Sequence, residues 1–258
     1  MSLDSFKMNL FSLEGKAAIV TGGNTGLGQG YAVALAEAGA DLFIPTFDNN
    51  WDETRALIES KGRRAEFIQL DLTKEDSPKK VVDACLAAYG KIDILINNAG
   101  TIRRAPLLEY KAEDWNAVMN INLNAVYFLS QEVAKVMVKQ ESGKIINIAS
   151  MLSFQGGKFV PPYTASKHGV AGITKAFANE LSVHNVQVNA IAPGYIKTAN
   201  TEPIRQDPAR NKEILDRIPA GRWADPEDLM GTAVFLASKA SDYVTGHILA
   251  VDGGWLVR

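Results

Sequence analysis

The chain has 258 residues, 47% of them apolar and 22% charged, which suits one large α/β domain with a continuous core and argues against extended disorder. Its 27 basic and 29 acidic side chains give a formal net charge of −2 without a long block of either sign, so nucleic acid, which demands a concentrated basic surface, is not an expected partner. The single cysteine, Cys85, excludes an intrachain disulfide, the three histidines lack metal-ligand spacing, and no apolar run nears the twenty or so residues of a membrane span.

An apolar run at 16–20 ends in Thr21-Gly22-Gly23-Asn24-Thr25-Gly26-Leu27-Gly28 and is followed by a helical pattern over 29–38, the order of a buried strand, a tight glycine turn and a helix. A second strand is predicted over 41–44, stopping before Pro45, which has no N–H to give a sheet, and a helix over 51–61. Strand and helix alternate onward: strands at 65–70, 92–96, 144–148, 186–191 and 247–251, a helix at 78–89 and one long helix over 114–139. Such alternation points to parallel crossovers covering both faces of a sheet. Residues 195–222 break the rhythm with Pro203, Pro208, Pro219 and a charged helical stretch around 212–217, and are expected to form a lid or else a surface insertion. The amino terminus, with Asp4 and Lys7 and no apolar core, does not read as a targeting segment, so a cytoplasmic protein is expected.

Gly22, Gly26 and Gly28, with Asn24 and Leu27 between them, allow a pyrophosphate to approach the start of the first helix, where the helix dipole and free amides favour negative charge. Glycine turns are common, so the position after the first strand is what gives them weight. Asp71 and Leu72 after the third strand, and Asn98, Ala99 and Gly100 after the fourth, read either as cofactor contacts or as turn caps. Asp48 stands where a ribose-binding carboxylate is expected and would repel the extra phosphate of NADP, so NAD is the expected cofactor.

Tyr163 and Lys167 are four residues apart and share a face if their segment is helical, with Pro161 and Pro162 ending an extended approach before it. An ordinary phenol is too weak an acid, near pKa 10, to act as a base at neutral pH; a neighbouring ammonium is expected to lower it so that Tyr163 exchanges a proton with an alcohol. Ser150, at the end of an apolar strand, either holds the substrate oxygen or caps a turn.

Together, Thr21-Gly22-x-x-x-Gly26-x-Gly28, Asn97-Asn98-Ala99-Gly100, Ser150, Tyr163-x-x-x-Lys167 and Pro193-Gly194 resemble the short-chain dehydrogenase/reductase family over essentially the whole chain after the first ten or so residues. The resemblance implies an α/β fold: one Rossmann-like domain over 1–258 with a seven-stranded parallel sheet flanked by helices on both faces, assembled as a homotetramer. It adds Asn122 to the catalytic set of Ser150, Tyr163 and Lys167, supporting a water-connected proton path through Lys167, which also holds the nicotinamide ribose. It places Ile196 and Thr198 beside the carboxamide of the nicotinamide and counts Pro193 and Gly194 among the cofactor contacts.

More narrowly, the stretches 98–104, 148–157, 191–195, 215–223 and 250–256 resemble the family's dehydrogenases of sugar acids, whose substrates are linked to pectin breakdown. An acidic substrate needs a carboxylate receptor, for which Arg103 is the first candidate and Arg104 and Lys158 are alternatives, with Gln155 and Met151 shaping the pocket around Ser150 and Tyr163. Competing readings are an NADP-dependent reductase of gluconate-like or acyl-thioester ketones, and a dinucleotide-binding structural or regulatory protein without turnover.

Overall fold

The computed structural model describes residues 7–258. The amino-terminal reading, and the start of the domain at residue 1, fall for residues 1–6 outside the described residues. Seven strands form one parallel sheet: β1 (Ala17–Val20), β2 (Asp41–Thr46), β3 (Ala65–Gln69), β4 (Ile94–Asn97), β5 (Gly143–Ile148), β6 (Val186–Pro193) and β7 (Ile248–Val251). Their order is β3-β2-β1-β4-β5-β6-β7, so the chain reverses direction across the sheet between β1 and β4 and opens a crevice at the carboxyl ends of those strands. β1, β4, β5 and β6 are buried along their whole length, as expected of strands covered on both faces.

Pro45 does not end β2 as its chemistry suggested. It pairs in register with Ile68 inside a strand that runs to Thr46. The Thr46 carbonyl accepts from Leu70 on the β3 side, while the Pro45 carbonyl accepts from Gly22 on the other, where β1 has already ended. The missing N–H lies on that same side, toward the end of β1, while Leu42, Ile44 and Thr46 keep the ladder to β3 and carry the strand past the proline.

Helices cover both faces. α1 (Gly26–Glu37) and α9 (Glu227–Ala237) pack over one, with Tyr31, Leu35, Leu229 and Leu236 buried against Val20, Ile44 and Ile96. α2 (Asp52–Glu59) buries Ile58 in the same cluster, and α3 (Ser77–Tyr89) covers the opposite face with Val81 and Cys85. α4 (Ala112–Met119) and α5 (Ala125–Gln140) occupy the span predicted as one helix, and a π-helical turn at Asn120–Asn124 joins them. Widened turns of this kind are rare and recur at functional sites. Sequence periodicity follows the mean pitch and passes over a single wide turn.

α6 (Pro161–Leu181) carries Tyr163 and Lys167, and the two prolines sit in its first turn rather than before it, where a missing N–H costs no helical bond. The 195–222 segment holds α7 (Glu202–Gln206) and α8 (Pro208–Arg217). Pro208 likewise opens α8 instead of interrupting it, and the Asp207 carboxylate caps the helix by accepting from Ala209 and Arg210. Ile214, Ile218, Trp223 and Trp255 bury a third apolar cluster beneath it. No helix among the described residues is long and apolar enough to cross a membrane, and no group of three metal-ligating side chains forms among them.

Candidate active site

A cleft of about 1200 Å³ opens at the carboxyl ends of the strands. At one end lies the glycine turn. Gly26 has φ +55° with nothing within 4 Å of where a side chain would begin, and it starts α1, whose N-cap Thr25 makes no side-chain cap. The open amides of that first turn suit a pyrophosphate. Gly28 serves packing: a Cβ there would lie 2.2 Å from the Gly22 carbonyl oxygen.

The turn after β4 is stitched to the glycine turn. Thr21 Oγ1 accepts from the amides of Asn98 and Ala99, each at 3.0 Å, and the Asn98 side chain donates to the carbonyls of Thr21 at 3.0 Å and Gly22 at 3.2 Å. Asn98 thus lines the cleft with its amide committed to the backbone. Asp71 is similarly occupied, accepting from the amide and hydroxyl of Thr73 at 2.9 and 2.7 Å, which hold its carboxyl below the ordinary range. Asp48, at the cleft edge, accepts from the Asn24 side chain at 2.9 Å and the Asn50 amide at 3.0 Å through the same oxygen.

Ser150, Tyr163 and Lys167 all line the cleft. Ser150 follows β5 and its Oγ accepts from the Leu152 amide at 3.1 Å, so it caps a short turn and faces the cleft at once. Lys167 is 6% exposed, donates to the Ile148 carbonyl at the end of β5, and holds Nζ 5.5 Å from the centre of the Tyr163 ring. Asn122 lies behind the cleft wall: Oδ1 accepts from the Thr101 amide at 2.8 Å and Nδ2 donates to the Thr101 carbonyl at 2.9 Å. It sits in the π-helical turn and is 1% exposed.

The electrostatics differ from the expectation. Burial raises the Tyr163 pKa above its ordinary 10.0, and the groups that oppose the rise are a hydrogen bond with Ser150 and the positive charge of Arg104, not Lys167. Burial pushes Lys167 down, from 10.5 to about 8. Desolvation disfavours the charged form of each group, and at this separation it outweighs their mutual stabilisation.

Leu27, Leu72, Ala99, Gly100, Pro193, Gly194 and Thr198 also line the cleft, whereas Ile196 is buried at 3% behind it, its carbonyl accepting from Thr201 Oγ1. Arg103 donates to Thr101 Oγ1 at 3.0 Å with Nε 3.8 Å from Asp114, and Lys158 lies 5.1 Å from the centre of the neighbouring Phe159 ring.

A sequence profile described as Enoyl-(Acyl carrier protein) reductase matches residues 22–256. A Bacillus subtilis protein named 2-dehydro-3-deoxy-D-gluconate 5-dehydrogenase is 56% identical over 250 residues, covering 96% of this chain and 97% of its own. Among solved structures, a candidate 2-deoxy-D-gluconate 3-dehydrogenase from Agrobacterium tumefaciens with bound NADP shares 53% identity at a TM-score of 0.91, over 97% of this chain and all of that one. The chain belongs to the short-chain dehydrogenase/reductase family. As a member it is an oxidoreductase that acts on a CH–OH group with a nicotinamide dinucleotide. A gluconate 5-dehydrogenase from Burkholderia cenocepacia, solved with NADP and tartrate, superposes with a TM-score of 0.93 at 37% identity, covering 97% of this chain and 98% of that one. Within the family cleft stand residues that sequence reasoning missed. Thr21 was visible as part of the glycine motif, though not as the anchor of a second turn. Tyr195, Arg217 and Trp255 line the wall formed by the 195–222 segment and the chain end; they fall within the stretches similar to sugar-acid dehydrogenases, but none was singled out as a site residue.

Proposed function

We propose that the protein oxidises the C5 hydroxyl of 2-dehydro-3-deoxy-D-gluconate to the ketone, 3-deoxy-D-glycero-2,5-hexodiulosonate, reversibly and with NAD as acceptor. The carrying observation is 56% identity, over nearly the full length of both chains, to a relative that bears the name of this activity. Tyr163 takes the hydroxyl proton, Ser150 holds the same oxygen, and Lys167 with Asn122 behind it supports the proton's exit. The bound nicotinamide supplies the hydride acceptor. The glycine turn from Gly22 to Gly28, the strand ends at Asp71 and Asn98, and the Pro193–Thr198 stretch hold the dinucleotide. The 195–222 segment acts as the lid of a single domain, in a cytoplasmic homotetramer.

NAD is favoured because the Asp48 carboxylate lies at the cleft edge, one oxygen taken by Asn24 and Asn50 and the other without a protein partner among the described residues. That second oxygen suits a ribose hydroxyl and repels a phosphate. NADP is the second reading, favoured by its presence in the Agrobacterium and Burkholderia structures. The test is NADH formation by the purified protein with 2-dehydro-3-deoxy-D-gluconate, with the oxidised carbon located by NMR. Turnover confined to other ketones or alcohols, or a larger kcat/KM with NADP, would replace the corresponding half of the proposal.

A further inference from the structure

Several cations line the cleft, and two of them are already answered by carboxylates. Arg103 faces Asp114, and Arg210 pairs with Glu213 at 2.8 Å. Arg217 differs. It ends α8, its Nη2 donates to Gln155 Oε1 at 3.1 Å, and its guanidinium lies 3.9 Å from the centre of the Trp255 ring. An amide oxygen and an aromatic face orient the group without neutralising it, and no carboxylate comes within ion-pair distance among the described residues.

Its footing is firm. Tyr195 packs between Trp255 at 4.7 Å and Trp223 at 5.3 Å, and both tryptophans are 5% exposed. Trp223 Nε1 donates to Asn211 Oδ1 at 2.7 Å, fastening this aromatic column to the helix that carries Arg217. Trp255 Nε1 is buried with no hydrogen-bond partner among the described residues. A stacked guanidinium keeps its in-plane donors and surrenders its rotamer freedom before any ligand arrives. With Gln155 Oε1 taken by Arg217, the Gln155 amide nitrogen is the end that can still donate. A fixed fork of donors with an unneutralised positive charge, opening on a cleft, matches a planar anion with two oxygens.

We propose that Arg217, seated on Trp255 and steadied by Gln155, receives the carboxylate of the sugar-acid substrate and thereby sets the preference for acids over neutral sugars. This rests on the sugar-acid reading given above. The test compares the acid with its neutral amide analogue in the wild type, Arg217→Met, Arg217→Lys and Gln155→Ala, together with the Kd for the dinucleotide. In Arg217→Met, kcat/KM for the acid should fall about 10- to 100-fold, mostly through KM, while the amide stays within about threefold. Arg217→Lys restores charge without the fork and should recover part of the preference; Gln155→Ala should lose a smaller part. An unchanged dinucleotide Kd shows that the cleft remains folded. If the wild type turns over the acid and Arg217→Met keeps the same acid-over-amide ratio, or if Arg103→Met alone abolishes it, the assignment to Arg217 is wrong while the sugar-acid reading stands. If the wild type fails to turn over the acid at all, the sugar-acid reading falls first and this assignment with it.

Discussion

Replacing Lys167 with methionine should abolish useful turnover and yet make the folded chain more stable. Lys167 is 6% exposed, and burial drags its pKa from 10.5 to about 8. At about 1.4 kcal/mol per pKa unit, holding that ammonium charged at pH 7 costs the fold on the order of 3 kcal/mol. Methionine fills similar volume without the charge but leaves the Ile148 carbonyl short of a donor, returning about 1–2 kcal/mol. The net gain is about 1–2 kcal/mol, or roughly 2–6 °C in Tm for a chain of this size. The sign with pH follows from the folded pKa lying below the unfolded one. Between about pH 8 and 10.5 the unfolded chain holds a proton that the folded chain has shed, so wild-type stability rises with pH across that window. Thermal melts of the ligand-free proteins at pH 7 and pH 10 should therefore show a variant advantage that narrows at the higher pH. A variant that melts below the wild type at pH 7, or a gap indifferent to pH, refutes the reasoning.

Tyr163→Phe should lower kcat by about 10²–10⁴-fold while dinucleotide affinity, read by fluorescence titration, changes little. The phenol of the ligand-free site holds its proton at neutral pH, so kcat/KM for alcohol oxidation should climb with pH and bend near pH 8, where Lys167 loses its charge; a rise that continues unbent beyond pH 9 contradicts this. Asp48→Ala should raise the NADP-to-NAD ratio of kcat/KM by about tenfold or more, measured with both cofactors on one substrate. Asn122→Ala strips both side-chain bonds from Thr101 and should cost about 1–3 kcal/mol in chemical denaturation.

What the sequence makes legible is what depends on local period and chain order. The glycine turn after β1, Ser150 after β5, and the four-residue spacing of Tyr163 and Lys167 on α6 follow from a strand ending, a turn beginning and the pitch of a helix. Pro45 was misread because a local rule knows that an N–H is absent but not that the ladder to β3, made by the neighbouring residues, continues past it. Asn122 was placed within a helix correctly, while the wide turn that points it at Thr101 reflects a tertiary bond to a loop far away in sequence. Asp71 and Asn98 admitted two readings, and the structure spends their side chains on turns. Arg217 lay within a stretch marked as charged and helical and as similar to sugar-acid dehydrogenases, but neither reading singled it out, since its position is set by the Trp255 ring 38 residues further on.

The same cause, desolvation by the surrounding protein, acts on the proton-handling groups in opposite senses. It raises Tyr163 above 10.0 and lowers Lys167 to about 8, so in the ligand-free cleft the lysine, not the tyrosine, is the first to give up its proton as pH rises. The resting site is thus an acid: a neutral phenol beside an ammonium still mostly charged at pH 7, arranged to donate a proton rather than take one. Oxidation needs the reverse, and the groups found to favour the phenolate are Ser150 and Arg104. The lysine contributes mainly by where it stands, joining the end of β5 to the ring of Tyr163, and its charge helps only while the pH stays below its own lowered pKa.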